Sequence, residues 1–389
     1  MPLPTEPSLK NPTPLIEDNF TAAVRLYSEL LSATAGAGKI PRTFENGKLV
    51  FVDYKDWTSG FFPGALWLIY EHTREPRWKK AALDYTNRVA PAAKLTDTHD
   101  LGFMLYCSHG HALRFTRNRA HRDILLEGAK NLANRFNPAA RTIRSWDHYA
   151  DRWRHPVIID NLMNLEFLLW AAREVNEPRY REIAIGHAHQ TLANHFRQDG
   201  SCYHVVGYDP ESGAPVIKET FQGYANESSW ARGQGWALYG YTMLYRETRN
   251  PLYLKQAHAS ARFIRTHPRL PSDKIPLWDF DAPAAPEPPR DASAAAVIAS
   301  GLIELADYSE PDTAQRYREL AWRQLVSLSS PGYRAAPGEN GGFILKHSTG
   351  NFNKNSEVDT PLNYADYYFL EALLRLKARA QNAKPSPAG

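Results

Sequence analysis

A short junction recurs along the chain, and it restricts the fold more than any other feature of the sequence. TREPRWKKAA (73–82), NEPRYREIAI (176–185) and RNPLYLKQAH (249–258) each place a proline and then an aromatic residue at the start of a basic segment. EPDTAQRYREL (310–320) is a stretched copy, and TRNRAHRDIL (116–125) is a copy without proline. Proline is favoured at the first position of a helix, where its missing N–H has no partner in any case. Each junction therefore predicts the end of one helix, a tight turn and the start of another.

Between these junctions, apolar residues recur at three- and four-residue spacing, which predicts helices. The windows with this periodicity are 18–34, 63–74, 78–90, 100–115, 120–136, 160–174, 179–196, 229–247, 251–266, 292–308, 312–329 and 362–379. Strand patterns are few and short, and they fall in KLVFVDY (48–54), SCYHVVGYD (201–209) and GGFILKH (341–347). The predicted fold class is all-α, with a few short strands in the loops.

The junctions are spaced unequally, at intervals of roughly 45 to 75 residues, which argues against an open solenoid of uniform repeats. A closed ring of helical hairpins with variable loops on one face fits the pattern better. The Pro/Ala-rich segment 272–296 interrupts the helices, but the same periodicity continues on both sides, so we interpret it as a functional loop. We therefore predict one domain over 18–380, an N-terminal extension over 1–17 and a flexible tail over 381–389.

Composition and charge exclude several classes of function. The 389 residues carry a formal net charge of only +4 and no concentrated basic block, which argues against nucleic-acid binding. No stretch reaches the roughly 18 apolar residues that a membrane span needs, and the N-terminus lacks the pattern of a signal peptide. Cys107 and Cys202 form no CxxC and give no disulfide framework. These features predict a cytoplasmic protein without membrane or nucleic-acid partners, and they leave the oligomeric state open.

Two aspartates stand at the start of predicted apolar helices. Asp160 lies in HPVIIDNLMNLEFLLWAA (155–172), and Asp100 lies in THDLGFMLYCSHGH (98–111). A helix N-cap explains each aspartate without any chemistry, since Asp is favoured there. Capping is compatible with catalysis, because apolar neighbours desolvate a carboxyl group and raise its pKa. Two such carboxyl groups at one mouth of a helical ring are suited to acid/base chemistry on glycosides.

The densest group of polar and aromatic residues is FQGYANESSWARGQGWALYGY (221–241). In this stretch Arg232 offers a planar fork for a carboxylate, Trp236 offers a stacking face, and Gln222 offers a hydrogen-bonding amide. The alternative is an amphipathic helix with ordinary surface residues. Further binding candidates, each of which also fits a purely structural role, are Trp57, Trp146 and His204.

Residues of the kind that bind zinc cluster around Asp100, namely His99, Cys107, His109 and His111. His99 and Cys107 lie about two helical turns apart, and neither HExxH nor CxxC spacing is present. Zinc is therefore a weak alternative, and we predict no metal site.

Several longer motifs follow one another in a distinctive order. They are WTSGFFPG, HDLGF, IIDNLMNLEFLLWA, GSCYHV, QGYANESSWARGQGWALYGY, WDFDAP with DASAAA, and NYADYYFLEALLRL. The set closely resembles the unsaturated glucuronyl hydrolases of glycoside hydrolase family 88, over nearly the whole chain. The resemblance implies an (α/α)6 barrel of six helical hairpins that needs no metal or organic cofactor. It also implies removal of the unsaturated uronic acid from the non-reducing end of oligosaccharides produced by polysaccharide lyases.

The same resemblance implies roles for individual residues. Asp160 is expected to protonate C4 of the substrate and to help water add at C5, so that the C4=C5 double bond is hydrated. Asp100 corresponds to a second essential aspartate, expected to hold sugar hydroxyls and to set the charge of its partner. The implied substrate-binding residues are Trp57, Trp146, His204, Gln222, Arg232 and Trp236. The alternatives are an unsaturated rhamnogalacturonyl hydrolase of the same fold and a carbohydrate-binding helical barrel without activity.

Overall fold

The computed structural model describes residues 8–284 and 287–382. Within these residues the chain forms twelve α-helices, as the periodicity predicts. Their bounds are α1 Thr13–Ala33, α2 Phe61–Thr73, α3 Pro76–Val89, α4 His111–Thr116, α5 Arg119–Asn134, α6 Leu165–Val175, α7 Pro178–Asn194, α8 Ala231–Thr248, α9 Pro251–Thr266, α10 Ala292–Leu305, α11 Pro311–Leu328 and α12 Asn363–Asn382. Helix α1 thus begins inside the predicted extension 1–17. Of the predicted tail 381–389, the first two residues end α12 and the rest lies outside the described residues.

Two of the predicted helices are divided into different helical types. A π-helix, Gly102–Gly110, leads directly into α4, and a 3-10 helix, Ile159–Asn164, leads into α6. Apolar periodicity detects a helix without distinguishing its hydrogen-bond pattern, so these divisions are invisible in the sequence. π-helical segments are rare and occur frequently at functional sites.

The predicted junctions are confirmed as tight turns between helices. Helices α3, α7, α9 and α11 each have proline in the first turn. The helices that precede α3, α7 and α9 end at Arg74, Asn176 and Arg249, whose backbones are left-handed with φ of 62°, 52° and 58°. This conformation ends a helix by turning the chain away from the helical path. Consecutive helices therefore lie side by side.

Helices along the chain fall into two sets that differ in burial. In the first set, α2 contacts the π-helix, which contacts α6, and the contacts continue to α8, α10 and α12 before α12 returns to α2. The second set packs on the first, with α3 on α2, α5 on the π-helix, α7 on α6, α9 on α8, α11 on α10 and α1 on α12. Every residue of α10 is buried, whereas α9 buries only part of its surface. A helix that is apolar all round is surrounded by protein, and an amphipathic one faces solvent.

Nine short strands form four small antiparallel sheets in the described part of the chain. They are β1 Ile40–Glu45 with β2 Lys48–Val52, β3 Phe136–Asn137 with β4 Thr142–Ile143, β5 His155–Ile158 with β6 Val205–Tyr208 and β7 Pro215–Glu219, and β8 Ser348–Asn351 with β9 Ser356–Thr360. The strands predicted over 48–54 and 201–209 are confirmed in part as β2 and β6. The chain is mostly helical with a few short strands, as predicted.

The strand predicted over 341–347 does not form, and the segment makes an isolated antiparallel bridge between Leu345 and Arg334. A side chain binds two of its other N–H groups. The backbone N–H groups of Ile344 and Leu345 each donate to the Asp366 carboxylate at 2.9 Å. Phe343, Ile344 and Leu345 are fully buried. The apolar run therefore belongs to the core, and its backbone pairing in the described part of the chain is limited to this one bridge.

None of the helices described combines the length and the apolarity that crossing a bilayer requires. Cys107 and Cys202 are both free thiols. The segment between α9 and α10, predicted as a functional loop, contains Asp279, whose carboxylate accepts the Tyr224 N–H at 2.9 Å and the Ser228 hydroxyl at 2.7 Å. The loop thus holds the 221–229 segment in place beside the start of α8.

Candidate active site

The small sheet of β5, β6 and β7 brings two of the predicted site residues together. Ile158, at the end of β5, lies opposite Val205 at the start of β6, and the Ile159 N–H donates to the His204 carbonyl at 3.0 Å. Asp160 follows in the first turn of the 3-10 helix. Residues that are 44 positions apart in the chain are therefore neighbours, and the distance between His204 Nε2 and Asp160 Oδ2 is 3.7 Å.

Burial controls the protonation of Asp160, which is 7% exposed. The pKa of its carboxyl group is raised from 3.8 to about 7, chiefly by desolvation and in part by the charge of Asp100, while Arg232 acts in the opposite direction. Asp160 Oδ2 has no hydrogen-bond partner among the described residues. The group is therefore held near the midpoint between acid and carboxylate at neutral pH.

The hydrogen bonds of His204 fix its tautomer. Its Nδ1 accepts the backbone N–H groups of Phe221 and Gln222, both at 3.1 Å, so Nδ1 carries no proton. Burial, together with the charge of Arg232, lowers the pKa of this histidine to about 3. The imidazole is therefore neutral at pH 7 with its proton on Nε2, which faces Asp160.

Asp100 immediately precedes the helix that contains the π-helical segment, and its side chain is 19% exposed. The Thr98 hydroxyl donates to Asp100 Oδ2 at 3.0 Å, and His99 Nε2 lies 3.3 Å from Oδ1. Desolvation by burial raises the pKa of this carboxyl group to about 7 as well, against the effect of Thr98. Two carboxyl groups with raised pKa values therefore belong to one site.

Neither aspartate caps its helix with its side chain, which is the role that its position in the sequence suggests. Ile158 is the residue that caps the 3-10 helix, and Asp160 lies inside its first turn. At the other helix, the Phe103 N–H donates to Asn164 Oδ1 at 3.0 Å. Because Asn164 supplies this acceptor from the neighbouring helical segment, the Asp100 carboxylate is left available to the cavity.

A cavity of about 430 Å³ contains most of the predicted site residues. Those that line it are Trp57, Asp100, Trp146, Asp160, Gln222 and Arg232. His204 does not line the cavity and reaches it through Asp160. The structure thus brings six of the eight predicted residues to one surface and places a seventh directly behind it.

Trp236, the eighth, is fully buried and cannot offer a stacking face to a sugar, so this expectation is wrong. Its indole packs at 5.3 Å from the Phe103 ring and 5.4 Å from the Tyr368 ring, measured between ring centroids. It also lowers the pKa of Asp160 and so opposes the effect of burial. Trp236 therefore favours the carboxylate form of Asp160 from the interior of the protein.

Arg232 lines the cavity, but most of its guanidinium is already engaged by the protein. Its Nη1 donates to Asp291 Oδ2 at 2.7 Å and to the Thr349 carbonyl at 2.6 Å, and its Nη2 donates to the Gly350 carbonyl at 2.7 Å. The expected fork is thus not free, because both terminal nitrogens already donate to the protein. Arg232 Nε is buried and has no partner among the described residues.

The other cavity residues supply flat surfaces and one amide. The Trp146 ring stacks on His148 with centroids 5.2 Å apart and an interplanar angle of 12°. Trp57 is half-buried and packs against Tyr364, with ring centroids 4.9 Å apart. Gln222 Nε2 donates to the Gly350 carbonyl at 3.0 Å, which leaves its amide oxygen for a ligand.

Sequence reasoning missed part of the lining. The additional residues are Lys55, Leu95, Asp97, Thr98, His99, Ser145, His148 and Ile158. Thr98 and His99 adjoin Asp100, and His148 follows Trp146 closely, so proximity to a candidate was an available signal for them. Lys55 and Asp97 belong to polar loops that resemble any surface segment, and only the fold brings them to the cavity.

The cluster that suggested zinc is dispersed in the fold. His109 Nδ1 lies 2.9 Å from His121 Nδ1, and His111 Nε2 lies 3.0 Å from the Tyr367 hydroxyl, and neither histidine lines the cavity. Over residues 8–284 and 287–382, no three His, Cys, Asp or Glu side chains form a group that could hold a metal ion.

Comparison with known proteins agrees with the motifs. Residues 34–331 match the model of Glycosyl Hydrolase Family 88. The chain is 45% identical over 363 residues to an unsaturated glucuronyl hydrolase of Formosa agariphila, which covers 92% of this chain and 90% of the relative. It is 32% identical over 340 residues to an unsaturated chondroitin disaccharide hydrolase of Streptococcus pyogenes serotype M1, covering 86% and 84% of the two chains.

A solved structure of an unsaturated glucuronyl hydrolase specific for heparin superposes with a TM-score of 0.90 at 48% identity, covering 94% of this chain and 98% of that chain. The family model, the sequence identity over most of the chain and the structural superposition all indicate the same family. The resemblance noted in the sequence is thereby confirmed, and the chain belongs to glycosyl hydrolase family 88, a family of enzymes.

Proposed function

We propose that the cavity removes the unsaturated uronic acid from the non-reducing end of oligosaccharides produced by polysaccharide lyases. The observation that carries this proposal is the pair of carboxyl groups in one cavity, Asp100 and Asp160, whose pKa values burial raises to about 7. A carboxyl group poised near neutral pH serves first as an acid and then as a base. The relatives, which are named for the same reaction, support the assignment.

In the proposed reaction, protonated Asp160 gives its hydrogen to C4 of the substrate, and the C4=C5 π electrons form the new C–H bond. The cation that develops at C5 is stabilised by the ring oxygen. Water adds to C5, and its proton goes to the Asp160 carboxylate, which restores the acid. The resulting hemiketal opens to a C5 ketone, and the hemiacetal at C1 releases the remaining sugar as an alcohol. One water molecule is consumed, and no carboxylate attacks the anomeric carbon.

The surrounding groups suit an anionic sugar. Arg232 lines the cavity, and its positive charge attracts the carboxylate of an anionic sugar. Trp57 and Trp146 offer flat apolar surfaces at the cavity wall, and Gln222 offers an amide oxygen. Asp100 binds sugar hydroxyls, and its charge raises the pKa of Asp160.

For the substrate itself, we favour unsaturated disaccharides of the heparin type. The chain is 48% identical to the heparin-specific structure and 32% identical to the chondroitin disaccharide hydrolase. Unsaturated rhamnogalacturonan disaccharide is the less favoured alternative, since these relatives are named for glucuronyl or chondroitin substrates.

We also propose how the helices and the domain are arranged. The succession of contacts from α2 through the π-helix, α6, α8, α10 and α12 supports an (α/α)6 barrel with the second set of helices outside it. We further propose a single catalytic domain over 18–380, extended by the start of α1. The free thiols of Cys107 and Cys202 support a cytoplasmic location, which fractionation of cells would test.

The proposal is tested by ultraviolet absorbance, because hydration destroys the conjugation of the unsaturated uronate. Unsaturated disaccharides derived from heparin, chondroitin and rhamnogalacturonan are incubated with wild type, Asp160→Asn and Asp123→Asn. We expect the wild type and the Asp123→Asn control, whose side chain is 71% exposed, to consume the heparin disaccharide. Asp160→Asn should lose at least about a thousandfold in kcat while retaining the fold. Activity only on the rhamnogalacturonan disaccharide, or none on any substrate, would refute the assignment.

A further inference from the structure

A second concave surface lies between the outer faces of α9 and α11. Its volume is about 630 Å³, and it shares no lining residue with the catalytic cavity. Its charged lining residues are Lys255, Arg262 and Arg265 on α9, Arg316 on α11 and Glu310 just before α11, and His258 on α9 and Tyr317 on α11 also line it. Of the charged side chains, four are positive at neutral pH and one is negative. We name this surface the α9–α11 groove.

The cations of the α9–α11 groove have no carboxylate partners. Among the described residues, Lys255, Arg262, Arg265 and Arg316 take part in no ion pair or side-chain hydrogen bond. Arginines elsewhere in the fold are paired, as Arg246 is with both Glu166 and Glu304. His258 adds no charge, because burial lowers its pKa and its Nδ1 lies 2.9 Å from the Tyr317 hydroxyl.

The positive groups follow one stripe of α9. Lys255 and Arg262 are seven residues apart, and Arg265 follows three residues later, so all three face the same side of the helix. At 1.5 Å per residue the stripe is about 15 Å long, comparable to a few sugar rings. Arg262 and Arg265, three residues apart on the helix, repel each other, and a concave surface intensifies the positive potential. An extended anion with several charges would relieve this repulsion.

We propose that the α9–α11 groove is a second binding site, separate from the catalytic cavity, for an acidic oligosaccharide bearing carboxylate or sulfate groups. Guanidinium groups form paired hydrogen bonds with such groups, and three of the four cations are arginines. The choice of ligand class rests on the proposed function, in which acidic saccharides supply the substrate. Nucleic acid fits less well, because bases need exposed aromatic faces and Tyr317 is 4% exposed.

The site is tested with a saturated heparin decasaccharide, which lacks the double bond that the catalytic reaction requires. Affinity for wild type, for Arg262→Ala/Arg265→Ala/Arg316→Ala and for a control is measured by calorimetry at several salt concentrations. The control, Lys80→Ala/Arg119→Ala/Lys130→Ala, removes the same charge from exposed positions on α3 and α5.

The groove variant should bind the decasaccharide at least about tenfold more weakly than the wild type, with a shallower dependence on salt, while the control binds as the wild type does. The groove variant should hydrolyse unsaturated disaccharides at the wild-type rate, and saturating disaccharide should not displace the decasaccharide. Equal affinities of the two triple variants, or no binding to the wild type at low salt, would overturn the site. Duplex DNA of equal charge binding as tightly through the same arginines would overturn the ligand class. The disaccharide assay tests the proposed function separately, since it uses the catalytic cavity alone.

Discussion

At the level of single residues, burial gives Asp160 the property that its proposed role requires. An exposed aspartate would be fully ionised at neutral pH and would have no proton to give. Because desolvation raises the pKa of Asp160 to about 7, its protonated form is lost as the pH rises through that value. We therefore expect kcat/KM for an unsaturated disaccharide to fall with increasing pH above about 7, approaching tenfold per unit. Asp123→Asn should show the same profile, and a rate that stays constant through about pH 9 would contradict the assignment.

The same pKa shift makes a prediction about stability. The folded-state pKa of Asp160 lies above its ordinary value of 3.8, so the stability that its protonated form contributes is lost as the pH rises through about 7. Asparagine never ionises. The Asp160→Asn variant should therefore gain stability relative to the wild type between about pH 4 and pH 7 and show a constant difference above that, measured as the difference in unfolding free energy in urea. With Asp123→Asn that difference should be independent of pH, and a pH-independent difference for Asp160→Asn would argue against the raised pKa.

Arg232 illustrates a role that side-chain type alone does not reveal. The sequence indicated a fork for substrate, and the structure adds a fully buried ion pair with Asp291, which also caps α10 by accepting from the Ser293 N–H at 3.1 Å. Lysine keeps the charge but cannot reach the same set of acceptors. Arg232→Lys should therefore lower the free energy of unfolding by about 2–4 kcal/mol, as measured by urea denaturation.

The matched control for this change is Arg152→Lys. Arg152 Nε lies 2.9 Å from Glu219 Oε2 and its side chain is 48% exposed, so the substitution should cost less than about 1 kcal/mol. If both substitutions lowered the free energy of unfolding equally, burial of the ion pair between Arg232 and Asp291 would not increase its contribution to stability.

Individual site residues were predictable to the extent that their neighbours in the sequence signal burial. Asp100 and Asp160 stand beside apolar helices, and this pattern is visible without a structure. The tautomer of His204 could not be predicted from the sequence, because it depends on the backbone N–H groups of residues 221 and 222, which are distant from it along the chain. The burial of Trp236 was also hidden, since tryptophan occurs both in cores and at sugar-binding surfaces.

At the level of elements, the segment 343–345 is held by α12 through one carboxylate. Asp366 accepts the N–H groups of Ile344 and Leu345, and Tyr27 donates its hydroxyl at 3.1 Å. The short apolar run predicted a strand here, because a pattern of apolar residues does not specify the acceptor of the backbone N–H groups. Helix positions were predicted better, since each α-helix satisfies its own backbone.

Asp366→Ala tests the importance of this anchor. The substitution leaves two buried N–H groups without acceptors, so the free energy of unfolding should fall by about 3 kcal/mol. The measurement is urea denaturation monitored by tryptophan fluorescence. Asp307→Ala is the control, because its ion pair with Arg379 is partly exposed and its loss should cost no more than about 1 kcal/mol. An Asp366→Ala variant as stable as this control would show that the segment finds other acceptors.

At the level of the whole molecule, the junctions and the helix count were predictable because each depends on residues close together in the chain. The succession of contacts that returns from α12 to α2 joins the two ends of the chain, and local patterns carry no information about such distant pairs. The resemblance of the motifs supplied that information from outside the sequence. The resemblance did not reveal how closely the helices approach one another. Small residues at the contacts determine that distance.

Gly64 on α2 lies where α2, the π-helix and α12 meet. A Cβ atom at this position would lie 2.7 Å from the Cys107 carbonyl oxygen and 2.6 Å from the Tyr367 ring, which is closer than these atoms can approach. Gly64→Ala should therefore force the three elements apart and lower the free energy of unfolding by about 1–3 kcal/mol. Gly186, which is also helical and buried, has 3.6 Å to its nearest neighbours, so Gly186→Ala should gain up to about 1 kcal/mol from its helix propensity. The stabilities are measured by thermal and urea denaturation. Equal stabilities of Gly64→Ala and Gly186→Ala would contradict the claim that the close approach of α2 and α12 excludes a larger residue at position 64.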